Sequence, residues 1–201
     1  MNVPNKITIC RIILAMLLLA LMIFPIERIG VEFPQFEIVA TKGTIIIDSK
    51  FIICGIIFLV AALTDFLDGY LARKYNLVTD FGKVADAIAD KILVNGVLIL
   101  FATNGFISPI IPVVIVSRDI IVDSIKMIAG QKVAAVGASK TGKIKTVFML
   151  VGISLIFFYN LPFELWNIDI ATICLLIATV LSVVSGIEYY VKNKKYFADI
   201  K

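Results

Sequence analysis

No histidine occurs among the 201 residues of this chain. That absence excludes an imidazole general base and any zinc site with a histidine ligand. Cysteine is scarce as well: Cys10, Cys54 and Cys174 fall in apolar runs with no C-x-x-C spacing, the pattern of small reduced packing residues rather than redox groups. Charge is the third shortage. Only 17% of residues are Asp, Glu, Lys or Arg, against 60% hydrophobic, and the mean hydropathy is +1.01. A soluble domain carries more charge than this, so the composition specifies an integral membrane protein. There is no internal repeat, and Gly142-Lys143 lacks the remainder of a P-loop.

Apolar runs long enough to cross about 30 Å of hydrocarbon begin near Ile7, Phe51, Asp86, Ile107, Ile144 and Asp169. They predict an all-α, polytopic membrane protein with six transmembrane helices, forming one domain over residues 1–201. An even number of spans puts both termini on one side. Residues 2–5 are expected to lie along the interface before the first span, which ends by Pro25. This run has no small-residue cleavage site and carries Asn5, Lys6 and Arg11 as anchors, so it reads as a resident helix, not a signal peptide. Basic residues gather at the termini and in segments 73–91 and 126–145, with Arg28, Lys42 and Lys50 opposite. The positive-inside bias then places both termini in the cytosol, and the net charge of +4 follows from the same bias. Segment 27–50 suits either a short hairpin or a surface helix.

Four carboxylates, Asp65, Asp68, Asp86 and Asp90, interrupt this apolar background. A charged side chain at mid-membrane costs roughly 2.5–3.5 kcal/mol on insertion scales, so four together must face a polar cavity and meet cations. At about 100° per residue, Asp65, Asp68, Gly69 and Ala72 share one helix face, and Gly82, Asp86 and Asp90 share a face of the next. Convergence of the two faces would make a metal site of carboxylate oxygens, suited to Mg²⁺ or Mn²⁺. Two such ions roughly 3.5–4 Å apart are the arrangement that clamps a phosphoryl group. The small residues leave room for a nucleotide or phosphate to approach the backbone.

A second polar group follows. Arg118, Asp119, Asp123, Ser124 and Lys126 interrupt the fourth span at the depth expected for the acids, and the loop expected over residues 130–145 adds Ser139, Lys140, Lys143 and Lys145. A basic rim beside an acidic metal site has the shape of a phosphate pocket. Bland readings stand beside these. The acids could form an ion-pair network with Arg73, Lys83 and Lys91, though buried pairs rarely offset their own desolvation. Arg118 could simply pair with Asp119 or Asp123, and each lysine of the rim could serve topology alone.

Asp65-x-x-Asp68-Gly69-x-x-Ala72-Arg73, then eight residues, then Gly82-x-x-x-Asp86-x-x-x-Asp90 resembles, at every position, the signature of the CDP-alcohol phosphotransferases. Asn5-x-x-Thr8-x-x-Arg11, Arg118-Asp119, and segments 142–146 and 185–189 extend the resemblance over essentially the whole chain. Ala87 departs from the Asp-Pro often found there, which touches local helix geometry and leaves the acids intact. The resemblance implies metal-dependent transfer of a phosphatidyl group from CDP-diacylglycerol to sn-glycerol 3-phosphate, releasing CMP. It implies a two-metal Mg²⁺ or Mn²⁺ site held by Asp65, Asp68, Asp86 and Asp90, with Asp90 also the base. Asn5, Thr8, Asp65, Gly69, Ala72, Arg73 and Gly82 would hold the CDP moiety. Arg118, Lys126, Ser139, Lys140, Lys143 and Lys145 would meet the acceptor phosphate. A homodimer in the plasma membrane is implied, with its active site facing the cytosol, membrane lipid around it and no nucleic-acid partner. Inositol phosphate or phosphatidylglycerol as acceptor is the alternative within the class. Outside it stands a divalent-cation transporter, whose site would be expected near the midplane between repeats.

Overall fold

The computed structural model describes residues 3–25, 30, 33–40, 43–75, 79–132 and 139–194; within helices and strands it leaves some side chains undescribed. Six helices carry the architecture: α1 (Val3–Ile23), α2 (Ser49–Lys74), α3 (Asp80–Thr103), α4 (Ile110–Lys132), α5 (Lys140–Phe157) and α6 (Ile170–Asn193). α1 lies along both α2 and α3, α5 packs along α6, and α4 leans on α6. Residues 3–5 form the first turn of α1.

Between α1 and α2 the chain forms a hairpin of β1 (Gln35–Ala40) and β2 (Gly43–Asp48), antiparallel, with Gln35 opposite Asp48 and Ala40 opposite Gly43. Of the two forms open to segment 27–50, the described residues 35–40 and 43–48 take the hairpin. The hairpin is tied to the far end of the bundle, where the Asp48 amide donates to the Tyr159 hydroxyl at 2.8 Å. α5 stops at Phe157 because Tyr159 and Asn160 take left-handed backbone angles, φ 56° and 53°. The buried Asn160 side chain then donates to the Ile168 carbonyl at 2.7 Å and accepts the Ala171 amide at 3.2 Å, starting α6.

The core at this end is aromatic. Phe101 and Phe157 meet edge to face at 4.9 Å between centroids, with Phe51 5.1 Å from Phe157. Elsewhere small residues bring helices together, as in membrane bundles generally. A Cβ on Gly152 would lie 2.8 Å from Leu175 and 3.2 Å from the Ala171 carbonyl oxygen, so α5 and α6 touch through that gap. Gly152→Ala is therefore expected to cost about 1–3 kcal/mol by overpacking, measurable as a lower unfolding temperature in detergent.

Outward faces are apolar on every helix: Leu17, Ile56, Val84, Val113, Val147 and Val180 are all exposed. Such surface belongs in lipid rather than water. Among the described residues, Asn5–Ile23 and Ile170–Asn193 are long and apolar enough to cross a membrane.

Candidate functional site

Because the helices alternate in direction, the starts of α1, α3 and α5 lie at the same end of the bundle as the finishes of α2, α4 and α6. The polar residues singled out in the sequence collect there. Asp65 sits in the second half of α2 and Asp86 in the second turn of α3. Their carboxylates meet around one guanidinium: Nη1 of Arg11, from α1, donates to Oδ1 of Asp65 and to Oδ1 of Asp86, the latter at 2.7 Å. Arg11 is 1% exposed, whereas the two acids are 46% and 49% exposed. The cation thus lies beneath, and the carboxylates open on their far side.

Carboxylates from two helices, converging on a positive charge and open opposite it, are a donor set that fits a divalent ion preferring oxygen. Among the described residues no three acids form a ready-made cage. Asp68, Ala72 and Arg73 lie on the same helix as Asp65, but their side chains are outside the described residues. Gly69 is described and half-buried on that helix.

Asn5 and Thr8 are buried on the same side of α1 as Arg11. Asn5 Oδ1 accepts from the Thr79 hydroxyl at 3.1 Å, and Thr79 Oγ1 in turn accepts the Gly82 amide at 3.0 Å, capping α3. A Cβ on Gly82 would come within 2.8 Å of Asn5 Oδ1. The space beside Gly82, expected to admit a nucleotide, is here occupied by the Asn5 carboxamide, which pins α1 to the start of α3.

One turn beyond Asp86, Asp90 is exposed and lines a separate cavity of about 230 Å³ between α3, α4, α5 and α6. Arg118, Asp119, Asp123 and Lys126 from α4, Lys91 from α3 and Lys145 from α5 complete its charged wall. Ser139 and Gly142 line it from the start of α5, and Tyr189 from α6. Asp119 is shared by two cations, accepting from Arg118 at 3.0 Å and from Lys145 at 2.7 Å. Asp123 pairs with Lys91 and stands 3.8 Å from Lys126. The Tyr189 ring lies 5.8 Å from the Arg118 guanidinium carbon and 5.4 Å from Lys126 Nζ, in cation–π range.

Arg118 is held from the side of α6. Its Nε donates to the Ser182 carbonyl at 3.1 Å and Nη2 to the Ser185 hydroxyl at 2.7 Å. Gly186 permits the approach, since a Cβ there would lie 3.1 Å from Arg118 Cγ. Residues 140–145, expected in a loop, begin α5 instead: the Ser139 hydroxyl accepts the Gly142 amide at 3.1 Å as an N-cap. Lys140 and Lys143, on the same first turn, are exposed and are not among the residues lining the cavity.

Of the residues expected to act, the structure therefore unites Asp65 and Asp86, and separately Asp90, Arg118, Lys126, Ser139 and Lys145. Sequence reasoning missed the contact of Arg11 with the acids, the bridging place of Asp119, and the support from Ser182, Ser185 and Tyr189. Arg11 carried two usable signals, a charge inside an apolar run with no assigned partner and its place in the Asn5-x-x-Thr8-x-x-Arg11 pattern.

Comparison with known proteins agrees with this architecture. The family model described as CDP-alcohol phosphatidyltransferase matches residues 1–184. The CDP-diacylglycerol–glycerol-3-phosphate 3-phosphatidyltransferase of Bacillus subtilis (strain 168) is 36% identical over 194 residues, spanning 96% of this chain and 95% of the relative. The Rickettsia felis protein of the same name is 32% identical over 197 residues, spanning 98% and 97%. The crystal structure of Mycobacterium tuberculosis phosphatidylinositol phosphate synthase in apo form has the same fold, with a TM-score of 0.59 at 18% identity over 94% of this chain and 87% of that one. Signature residues on α2 and α3, a family match over most of the length and relatives aligned almost end to end lead to one conclusion: the chain belongs to the CDP-alcohol phosphatidyltransferase family.

Proposed function

We propose that this chain transfers the phosphatidyl group of CDP-diacylglycerol to the primary hydroxyl of sn-glycerol 3-phosphate, giving phosphatidylglycerophosphate and CMP. The observation that carries the reading is the side-by-side placement of two sites: the Asp65–Asp86 pair, and a basic cavity that Asp90 enters one helical turn away. The first suits a pyrophosphate with its counter-ions, and the second suits a phosphorylated alcohol. The names of the relatives point to the same donor and acceptor.

Enzymes of this family use divalent metal. Asp65, Asp68, Asp86 and Asp90 are the residues that would hold it, as Mg²⁺ or Mn²⁺, and when bound it neutralises charge on the phosphoryl oxygens and the departing CMP. The chain's own residues do the rest. Arg118 and Lys145, each steadied by Asp119, grip the acceptor phosphate with charge-assisted hydrogen bonds. Lys126 adds charge from above the Tyr189 ring. The acceptor hydroxyl then lies toward Asp90, which takes its proton as the oxygen attacks phosphorus, and the bond to the CMP oxygen breaks. Gly69, Ala72 and Arg73 lie along the α2 turn that would receive the cytidine end, with Asn5 behind it engaging Thr79 and Gly82 at the start of α3.

All six helices span the membrane in this reading, with both termini and both sites on the cytosolic side and the hairpin outside. The basic residues near the polar end support that orientation. The active unit is a homodimer of single-domain protomers. Offering purified protein CDP-diacylglycerol with glycerol 3-phosphate, inositol phosphate or phosphatidylglycerol tests the assignment. CMP release and a phosphatidylglycerophosphate product only with the first are expected. A different preferred acceptor would reassign the substrate, and metal uptake into liposomes without CMP release would favour a transporter.

A further inference from the structure

Arg11 belongs to no residue set expected to touch either substrate, yet among the described residues it is the least exposed charged side chain, at 1%. Burying a guanidinium there is costly unless it is paired. Its partners are Asp65 on α2 and Asp86 on α3, each bound through Oδ1 by the same nitrogen. One atom of α1 therefore sets the separation of two carboxylates on different helices. Both acids keep about half their surface open on the opposite side, so the guanidinium orients them from beneath without covering the face they present. α1 is itself fixed at this level: Asn5 engages Thr79 and crowds Gly82, tying the helix that carries Arg11 to the helix that carries Asp86.

We infer that Arg11 is a positioning residue that holds the Asp65 and Asp86 carboxylates at the spacing required for divalent-ion binding. The inference rests on the reading of those acids as ion ligands. Hydrogen-bonded partners behind metal-binding side chains typically govern affinity by about 10–100-fold. A simple charge argument gives the opposite sign, because deleting a neighbouring cation should let a divalent ion bind more tightly. The two accounts are thus separable by direction.

The test is Mn²⁺ binding to purified full-length protein, followed by electron paramagnetic resonance of the free ion, for the wild type, Arg11→Gln and Arg11→Lys. Arg11→Gln is expected to bind Mn²⁺ about 10–100-fold more weakly, with the number of ions bound at saturation unchanged. Arg11→Lys keeps the charge without the planar fork and should fall between the two. A loss of saturating stoichiometry with unchanged affinity would mean damage to the fold rather than positioning, and would overturn the inference. Unchanged or tighter binding would also overturn it, the latter making Arg11 a competitor of the ion. Should Arg11→Gln not fold, Arg11→Lys decides alone: wild-type affinity contradicts the inference, and weaker binding supports it. A wild-type protein that binds no Mn²⁺ would instead remove the reading of the acids on which the inference stands.

Discussion

Replacing Asp90 by Asn is expected to lower CMP release by at least about a hundredfold, the lower range of what a general base contributes, while CDP-lipid binding stays close to wild type. Asn matches Asp in size and keeps one acceptor oxygen, so the cavity wall is preserved, but an amide cannot take a proton. Asp90 is the residue suited to that task because it belongs to both halves of the polar region. It follows Asp86 by one turn of α3 and lines the cavity with Arg118, Asp119 and Lys145. With no histidine in the chain, a carboxylate is the natural acceptor for the hydroxyl proton. Single-turnover CMP release and equilibrium CDP-lipid binding on the same preparation check the split. A variant that retains turnover would move the proton to another acceptor.

Arg118→Ala carries the second large effect, confined to the other substrate. Hydrogen bonds to charged groups contribute about 1.5–3 kcal/mol, so KM for glycerol 3-phosphate should rise by about 10–100-fold with KM for CDP-diacylglycerol nearly unchanged. The arginine is pre-arranged, with the Ser182 carbonyl, the Ser185 hydroxyl and Asp119 each holding one nitrogen. Little side-chain freedom is left to lose when phosphate binds, which is the condition for efficient recognition. Steady-state kinetics with each substrate varied in turn provides the check. A change limited to CDP-lipid would exchange the two pockets.

The helical plan was readable because apolar runs of spanning length have few other uses, and the acids were readable because charge in such runs needs a reason. Helix periodicity put Asp65 on one face and Asp86 with Asp90 on another. What it could not convey was which neighbour stands between the faces. Arg11 is 54 residues from Asp65 and 75 from Asp86, a juxtaposition that exists only once α1 has packed on both α2 and α3. Gly82 illustrates the same limit. A glycine before an acid motif suggests room for a ligand, but the room is filled by Asn5 from a distant segment.

Local chemistry also decided details that apolar patterning does not encode. Ser139 capped α5 and drew residues 140–145 into the helix, so Lys145 turns inward to Asp119 at 2.7 Å while Lys140 and Lys143 remain exposed. Treated as a loop, the basic segment offered equivalent lysines; as a helix it separates a buried one from two on the surface. The hairpin between α1 and α2 was undetermined for a related reason. A short alternating segment satisfies either structure until a partner fixes it, and here the partner is Tyr159 at the turn between α5 and α6.

Phosphatidyl transfer by purified protein, followed as CMP formed from CDP-diacylglycerol and glycerol 3-phosphate before and after exhaustive chelation, tests the central claim most directly. Activity should vanish with the chelator, return with Mg²⁺ or Mn²⁺, and fail to return in Asp86→Asn. Undiminished transfer in the chelated enzyme, or full activity in that variant, would contradict the assignment of the paired aspartates.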